Sequence, residues 1–180
     1  MSKITFILGG AKSGKSTFAV KLALRYRKVA FIATAKALDK EMQSRITRHR
    51  ECRPSHWKTF EEDIEITNIF DKIHPGFDCL VIDCLTLWVS NLLLAKIPPK
   101  LIEEKARQLL KKLGRAKSRV IIVSNEVGLG IVPNNKLARG FRDIAGSVNQ
   151  IVAKMADEVY FMVSGIPSRI KNNKIKHGDN

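Results

Sequence analysis

Eight residues near the amino end constrain this chain more than any others: Gly9-Gly10-Ala11-Lys12-Ser13-Gly14-Lys15-Ser16. They follow the apolar run Ile4–Leu8 and open an amphipathic stretch over about Lys15–Arg25, so the chain passes from a buried strand through a Gly-rich turn into a helix. Their spacing is G-x-x-x-x-G-K-[ST], and strand–turn–helix is the setting in which that spacing binds phosphate. Glycines let successive backbone N–H groups converge on phosphate oxygens, and the helix start adds the positive end of its dipole. Lys15 can then reach the outer phosphates, and the Ser16 hydroxyl can ligate Mg2+. A random chain of this length and ordinary composition carries the pattern roughly 1% of the time, before its placement is considered. The loop points to a nucleoside triphosphate.

The rest of the 180-residue chain repeats the strand–helix alternation. Val29–Ala33, Cys79–Ile82, Val120–Ser124 and Val159–Val163 are continuous apolar runs rich in β-branched residues, as in strands buried on both faces. Helical patterns cover about Asp39–Glu51, Glu62–Lys72, Leu85–Ala95, Pro99–Leu113 and Asn135–Met155, with Pro54 and Pro98-Pro99 as boundaries. This alternation predicts an α/β fold of the P-loop NTPase type: a mostly parallel sheet, helices on both faces, and ligands beyond the carboxyl ends of the strands. Residues 1–170 read as a single nucleotide-binding domain and Lys171–Asn180 as a polar basic tail that frays. No apolar run approaches the ~20 residues of a membrane span, and Ile4–Leu8 is too short for a signal peptide. Cys52, Cys79 and Cys84 lack metal-ligand spacing and read as reduced thiols, so the expected location is the cytoplasm.

Lys and Arg number 32 against 17 Asp and Glu, a formal charge of +15 that asks for an anionic partner. The excess is local. Residues 1–60 hold 14 basic and 3 acidic side chains, whereas residues 61–120 hold 10 and 9, and residues 121–180 hold 8 and 5. An even basic coat would suit a nucleic-acid-binding ATPase. Concentration in the first third, with two Trp and two Tyr available for base stacking, favours a nucleotide site and no nucleic acid. A small-molecule or nucleoside monophosphate kinase would share the loop and the size.

Further candidate residues lie after the loop. Asp83 ends Cys79-Leu80-Val81-Ile82-Asp83, where its carboxylate can hold Mg2+ together with Ser16 or cap the helix near Leu85; the two roles are compatible. Arg45 and His49 are i, i+4 neighbours, with Arg50 and Arg53 close by. A neutral imidazole is a nucleophile towards phosphorus, and guanidiniums beside it disfavour its protonation while binding a triphosphate. A histidine at the edge of a solvated basic helix has the same sequence, and the residues alone leave both readings open. His56, after Pro54 and beside Trp57, reads as a packed loop residue. Asn125-Glu126-Val127-Gly128-Leu129-Gly130 reads as a loop at the mouth of the site or as a plain turn, with Glu126 available to orient a hydroxyl or a metal-bound water. Arg139 and Arg142, i, i+3 on the next helix, either clamp phosphate or are solvated.

Together these segments resemble the bifunctional adenosylcobinamide kinase/adenosylcobinamide-phosphate guanylyltransferase family of cobalamin biosynthesis. The resemblance covers about residues 4–171. It is carried by the phosphate loop, Phe31-Ile32-Ala33-Thr34, Arg45-Ile46 with His49-Arg50 and Arg53-Pro54, and His56-Trp57-Lys58-Thr59. Asp83-Cys84-Leu85-Thr86, Asn91-Leu92-Leu93, Asn125-Glu126-Val127-Gly128, Gly130-Ile131-Val132-Pro133, Phe141-Arg142-Asp143, Gly146, Asn149-Gln150 and Val163-Ser164-Gly165-Ile166-Pro167 continue it. Lys12 stands where the family loop usually has Arg, which keeps the charge and loses a bidentate donor. The resemblance implies that GTP or ATP phosphorylates the aminopropanol hydroxyl of adenosylcobinamide. GTP would then donate GMP to that phosphate, giving adenosylcobinamide-GDP and pyrophosphate through a GMP–histidine whose matching position is His49. It further implies a catalytic Lys15, nucleotide contacts at Thr34, Ala35, Lys36, Arg50, Arg53, Glu61 and Asp83, and a homotrimer. Glu61 would accept from ribose hydroxyls, while Glu62 reads equally well as an acid at a helix start.

Overall fold

A computed structural model describes residues 3–37, 39–73 and 76–172, except for the side chains of Arg45, Asp71 and Lys72. In chain order the elements are β1 (Ile4–Gly9), α1 (Lys15–Ala23), β2 (Val29–Ala33), α2 (Lys40–Glu51), β3 (Lys58–Glu61), α3 (Ile66–Lys72), β4 (Cys79–Asp83), α4 (Leu85–Leu94), α5 (Pro99–Arg115), β5 (Arg119–Val123), α6 (Lys136–Met155), β6 (Glu158–Val163) and β7 (Ile166–Asn172). The strands form one sheet in the order β3-β2-β4-β5-β1-β6-β7. Every pairing is parallel except that of β6 with β7.

Burial explains why the apolar runs become strands. Ile4, Phe6 and Leu8 of β1 face one side and pack with α3, α4, α5 and α6, while Ile7 faces the other and packs with Ala19 and Ala23 of α1. This is the expected P-loop type of architecture, with helices on both faces. β1 lies between β5 and β6, with Phe6 opposite both Ile122 and Val159. Connections leave β1 towards β2 on one side and arrive at β6 on the other, so a crevice opens at the carboxyl end of β1. The phosphate loop sits there.

Two strands escape the pattern of apolar runs. β3 is Lys-Thr-Phe-Glu with three exposed side chains, and β7 is largely exposed, because both are edge strands with one neighbour each. Edge strands carry polar residues, so hydropathy hides them. β7 also moves the tail boundary. Lys171 and Asn172 belong to the sheet, and Lys171 Nζ donates to the carbonyls of Ala153 and Lys154 at 2.9 Å, satisfying the end of α6. Residues 173–180 lie outside the described residues. α3 starts at Ile66 rather than Glu62, because the Glu62 carboxylate accepts the N–H groups of Ile64 and Glu65 ahead of the helix.

At the opposite end of the sheet a charge cluster ties β1, β5 and β6. Glu158 receives Lys3 Nζ at 2.9 Å and Arg119 Nη2 at 2.6 Å, and its Oε2 also accepts from Thr5 Oγ1 at 3.2 Å. Burial alone would raise the Glu158 pKa, but its bonds to Lys3 and Arg119 outweigh that and bring it below the usual carboxylate range. A lowered folded-state pKa stabilises the fold above the unfolded value, and the gain is lost as pH falls through the folded value. Glu158→Gln is therefore expected to lower unfolding free energy by about 1–3 kcal/mol at neutral pH. In urea titrations over a pH series, the difference from the parent should shrink below about pH 4.

Candidate functional site

The phosphate loop is shaped by a close approach to the β6–β7 turn. Gly9 has φ +154 and Gly14 has φ +90, and a Cβ on Gly9 would lie 2.6 Å from the Met162 carbonyl oxygen. On Gly14 it would lie 3.1 Å from Gly165 Cα, so both positions exclude a side chain. Gly165 N–H donates to Ser13 O at 3.0 Å and braces the loop from the hairpin. Gly10, Ala11 and Lys12 are exposed at its tip, and Lys12 has φ 55. Lys15 is buried at 7% exposure and folds back, donating to Gly10 O and reaching Ser13 Oγ at 3.4 Å. Burial lowers its pKa, and the nearby Asp83 carboxylate opposes the shift. Ser16 follows in the first turn of α1.

Asp83 arrives at this lysine from β4, with β5 between it and β1. Its position is set by Thr34, whose hydroxyl accepts Cys84 N–H at 2.8 Å and donates to Cys84 O at 2.7 Å. Asn91 Nδ2 in turn donates to Thr34 O at 2.8 Å. The Thr34 side chain is thus committed to the protein, and it shapes the site by fixing the turn after Asp83. His49, on α2, brings Nδ1 to 4.0 Å from Asp83 Oδ2. No described side chain of α2 is buried, and that of His49 is 52% exposed, so its ring is open to a ligand.

Next to His49 lies a cavity of about 380 Å3 lined by Arg50, Arg53, Trp57, Thr59 and Glu61, among others. Arg50 pairs with Glu61 across it. Arg53 lies over the Phe31 ring at 3.6 Å, and burial lowers its pKa against the opposing pull of Asp83. Arg53 Nη1 and Trp57 Nε1 are buried without hydrogen-bond partners. Beyond its edge, Ala35 is half-buried and exposed Lys36 pairs with Asp63 at 3.2 Å. Trp57, not His56, is the packed member of that dipeptide; His56 is exposed. The remaining candidate side chains lie elsewhere. Glu126 joins the loop from β5: its N–H donates to Gly9 O at 3.0 Å, and its carboxylate accepts Gly128 N–H at 2.8 Å. Arg142 pairs with Asp143 at 3.4 Å beside a second cavity of about 620 Å3. Arg139 donates to the carbonyls of Pro133 and Asn134 at 3.0 and 2.7 Å and so anchors the loop before α6. The backbone of Arg45 is in α2, and its side chain lies outside the described residues.

Residues 5–170 match the family model described as cobinamide kinase/cobinamide phosphate guanyltransferase. The chain belongs to this family. Similar to it is the bifunctional adenosylcobalamin biosynthesis protein CobP of Pseudomonas aeruginosa, 44% identical over 94% of this chain and 98% of that protein. The bifunctional adenosylcobalamin biosynthesis proteins CobU of Salmonella typhimurium and Escherichia coli are each 40% identical, over 92% of this chain and 98% of theirs. In fold alone, it is similar to a KaiC-like protein of Pyrococcus horikoshii (TM-score 0.53, 14% identity, 99% of this chain and 82% of that one). The RadB recombinase gives the same TM-score of 0.53, with 18% identity over 88% of this chain and 73% of that one.

In this member of the cobinamide kinase/cobinamide phosphate guanyltransferase family, Lys15, Asp83, His49, Arg53, Arg50 and Glu61 come together at the carboxyl ends of β1, β2, β3 and β4. The buried Cys84 thiol beside them is pushed up to about 12 by desolvation, and that of Cys79 likewise, so both are neutral packing groups rather than nucleophiles. For Mg2+, Ser16 and Asp83 supply hard oxygen donors of the right chemistry. Among the described residues there is no cluster of three or more acidic, His or Cys ligands. A small donor set of this kind suits an ion that keeps waters and shares the phosphates of its substrate. Asn91 and Trp57 are the members that side-chain chemistry alone did not single out. Thr34→Val keeps the volume and deletes both bonds to Cys84, and should cost about 1–3 kcal/mol in urea unfolding. Both transfer activities should fall with it as Asp83 loses its fixed position.

Proposed function

We propose that this enzyme phosphorylates adenosylcobinamide and then guanylylates the product, with one phosphate loop serving both reactions. In the first, the triphosphate of GTP or ATP lies in the loop against Lys15. The aminopropanol oxygen attacks the γ-phosphorus, and the bond to the β-phosphate breaks as the nucleoside diphosphate leaves. In the second, an imidazole nitrogen of His49 attacks the α-phosphorus of GTP and pyrophosphate leaves. A phosphate oxygen of adenosylcobinamide phosphate then displaces His49 from the α-phosphorus, giving adenosylcobinamide-GDP. Arg50 and Arg53 offset negative charge on the nucleotide, and Lys15 does so on the outer phosphates. Mg2+, held by Ser16 and Asp83 when bound, supplies further screening of the phosphate charge.

The observation that carries this reading is the placement of His49 Nδ1 4.0 Å from Asp83 Oδ2, one residue before Arg50, which lines a cavity with Arg53 and Glu61. An approach of roughly 1 Å would form a hydrogen bond from Nδ1–H to Asp83 and leave Nε2 with its lone pair for phosphorus. Glu61 reads as the ribose acceptor once it parts from Arg50. The family likeness also supports a homotrimer in the cytoplasm without a nucleic-acid partner. Among the described residues no helix is long and apolar enough to cross a membrane.

Incubation with GTP labelled at the α-phosphate should leave an acid-labile, alkali-stable label on the protein. His49→Ala should remove the label and lower guanylyl transfer by about 10³-fold or more, while phosphorylation of the alcohol stays within about tenfold. Transfer at the parent rate in His49→Ala would overturn the covalent route. An unlabelled parent protein that still phosphorylates a small alcohol would instead mark a simple kinase.

A further inference from the structure

The 620 Å3 cavity beside Arg142 shares no lining residue with the cavity that holds Arg50, Arg53 and Glu61. Its wall includes Leu8, the residue immediately before the phosphate loop, and Glu126, whose backbone N–H is bonded to Gly9 O at 3.0 Å. Leu8 packs on the α6 face of the sheet, so this cavity meets the loop from the side opposite α1. The opposite wall is α6, which contributes Arg142, Gly146 and Asn149.

Two features of that wall are unexplained by folding. Gly146 lies inside a 20-residue helix, where glycine is unfavourable, yet a Cβ there would meet nothing within 4 Å. Packing within this chain therefore does not require glycine, and the missing side chain widens the cavity. Asn149 is 5% exposed; its Nδ2 donates to Asn125 O at 3.0 Å, but its Oδ1 has no partner. Buried amide oxygens are normally paired. The lining residue Leu129 is 78% exposed, and Ile131, two residues further along the same loop, is 97% exposed, a strongly apolar rim for a loop surface.

Resting on the two-reaction reading above, we infer that this cavity is the acceptor site. It receives the hydroxyl-bearing aminopropanol arm and an amide-bearing edge of the corrinoid. A whole corrinoid exceeds its volume, so the macrocycle lies across the Leu129–Ile131 rim. Glu126 accepts a hydrogen bond from the arm's hydroxyl in the kinase reaction. Arg142 faces the phosphate that replaces that hydroxyl in the transfer reaction, and Asn149 Oδ1 is the acceptor for a peripheral amide N–H.

Gly146→Leu places its Cβ in open space and its side chain on the cavity wall. It should raise the KM for adenosylcobinamide by about tenfold or more in the kinase assay. The nucleotide KM and the labelling of His49 by GTP alone should both stay within about twofold, since neither needs the acceptor. Gly140→Leu, also free of contacts within 4 Å and outside the cavity, should leave the acceptor KM unchanged. Arg142→Ala should raise the KM for adenosylcobinamide phosphate more than that for the alcohol. An unchanged acceptor KM in Gly146→Leu, or an equal rise in Gly140→Leu, would overturn the assignment. So would a loss of oligomeric state in Gly146→Leu, read by sedimentation, that leaves the acceptor KM unmoved. If instead the parent protein neither takes the GTP label nor phosphorylates the corrinoid, the two-reaction reading itself fails.

Discussion

The phosphate loop can exist only because the β6–β7 turn lets it come within van der Waals reach. Gly9 lies against the Met162 carbonyl and Gly14 against Gly165, with Gly165 N–H holding Ser13 O. A side chain at Gly9 or Gly14 would push the loop from the sheet and turn its N–H groups away from a common centre. The antiparallel edge strand thus has a purpose in an otherwise parallel sheet: it closes the hairpin that carries Gly165. From this contact follow the burial of Lys15 against the loop and its electrostatic coupling to Asp83.

Asp83 is placed by a different device. A parallel strand ends in a free carboxyl edge, and nothing in β4 itself fixes the chain beyond that edge. Thr34, at the end of neighbouring β2, does so by giving and accepting a hydrogen bond with Cys84, and Asn91 secures Thr34 in turn. Two buried polar side chains, Thr34 and Asn91, would be costly if unpaired. Paired as they are, they join β2, β4 and α4 just below the reacting groups. Helix α2, above them, has no buried side chain among those described and is the least packed element of the site. Elements that move are drawn from the weakly packed parts of a fold, and the role proposed for His49, taking GMP from a donor and giving it to an acceptor, suits such a helix.

The sequence made the interior legible and the periphery less so. β1, β2, β4, β5 and β6 lie between helices, and their unbroken apolar runs reveal them. β3 and β7 border solvent and have no such signature. The phosphate loop was legible from spacing because its chemistry is local. His49 was not decidable from its neighbours, since the carboxylate beside it is 34 positions away and arrives only through the sheet order. The family resemblance selected it, and the fold places it at Asp83. Arg139 shows the converse: its helical spacing with Arg142 suited a phosphate clamp, but its guanidinium is held by backbone carbonyls that no sequence pattern announces.

Charge separates the two halves of the site. The basic excess of the first third is drawn towards acids of the second: Arg50 to Glu61, Lys36 to Asp63, and Arg53 towards Asp83. Arg50 and Glu61 line the smaller cavity and are both exposed, so an incoming triphosphate competes there with a carboxylate that is a weak partner in water. The larger cavity is balanced instead, with Glu126 and Asp143 against Arg142 and with unpaired amide chemistry at Asn149. A triphosphate is favoured on the first side, while the second offers the single guanidinium of Arg142 to the one phosphate of the proposed acceptor. An amide-rich alcohol is favoured on the second and would find no complementary field on the first. With the phosphate loop between them, the two cavities would bring the proposed donor and acceptor to the phosphates from different faces of the sheet.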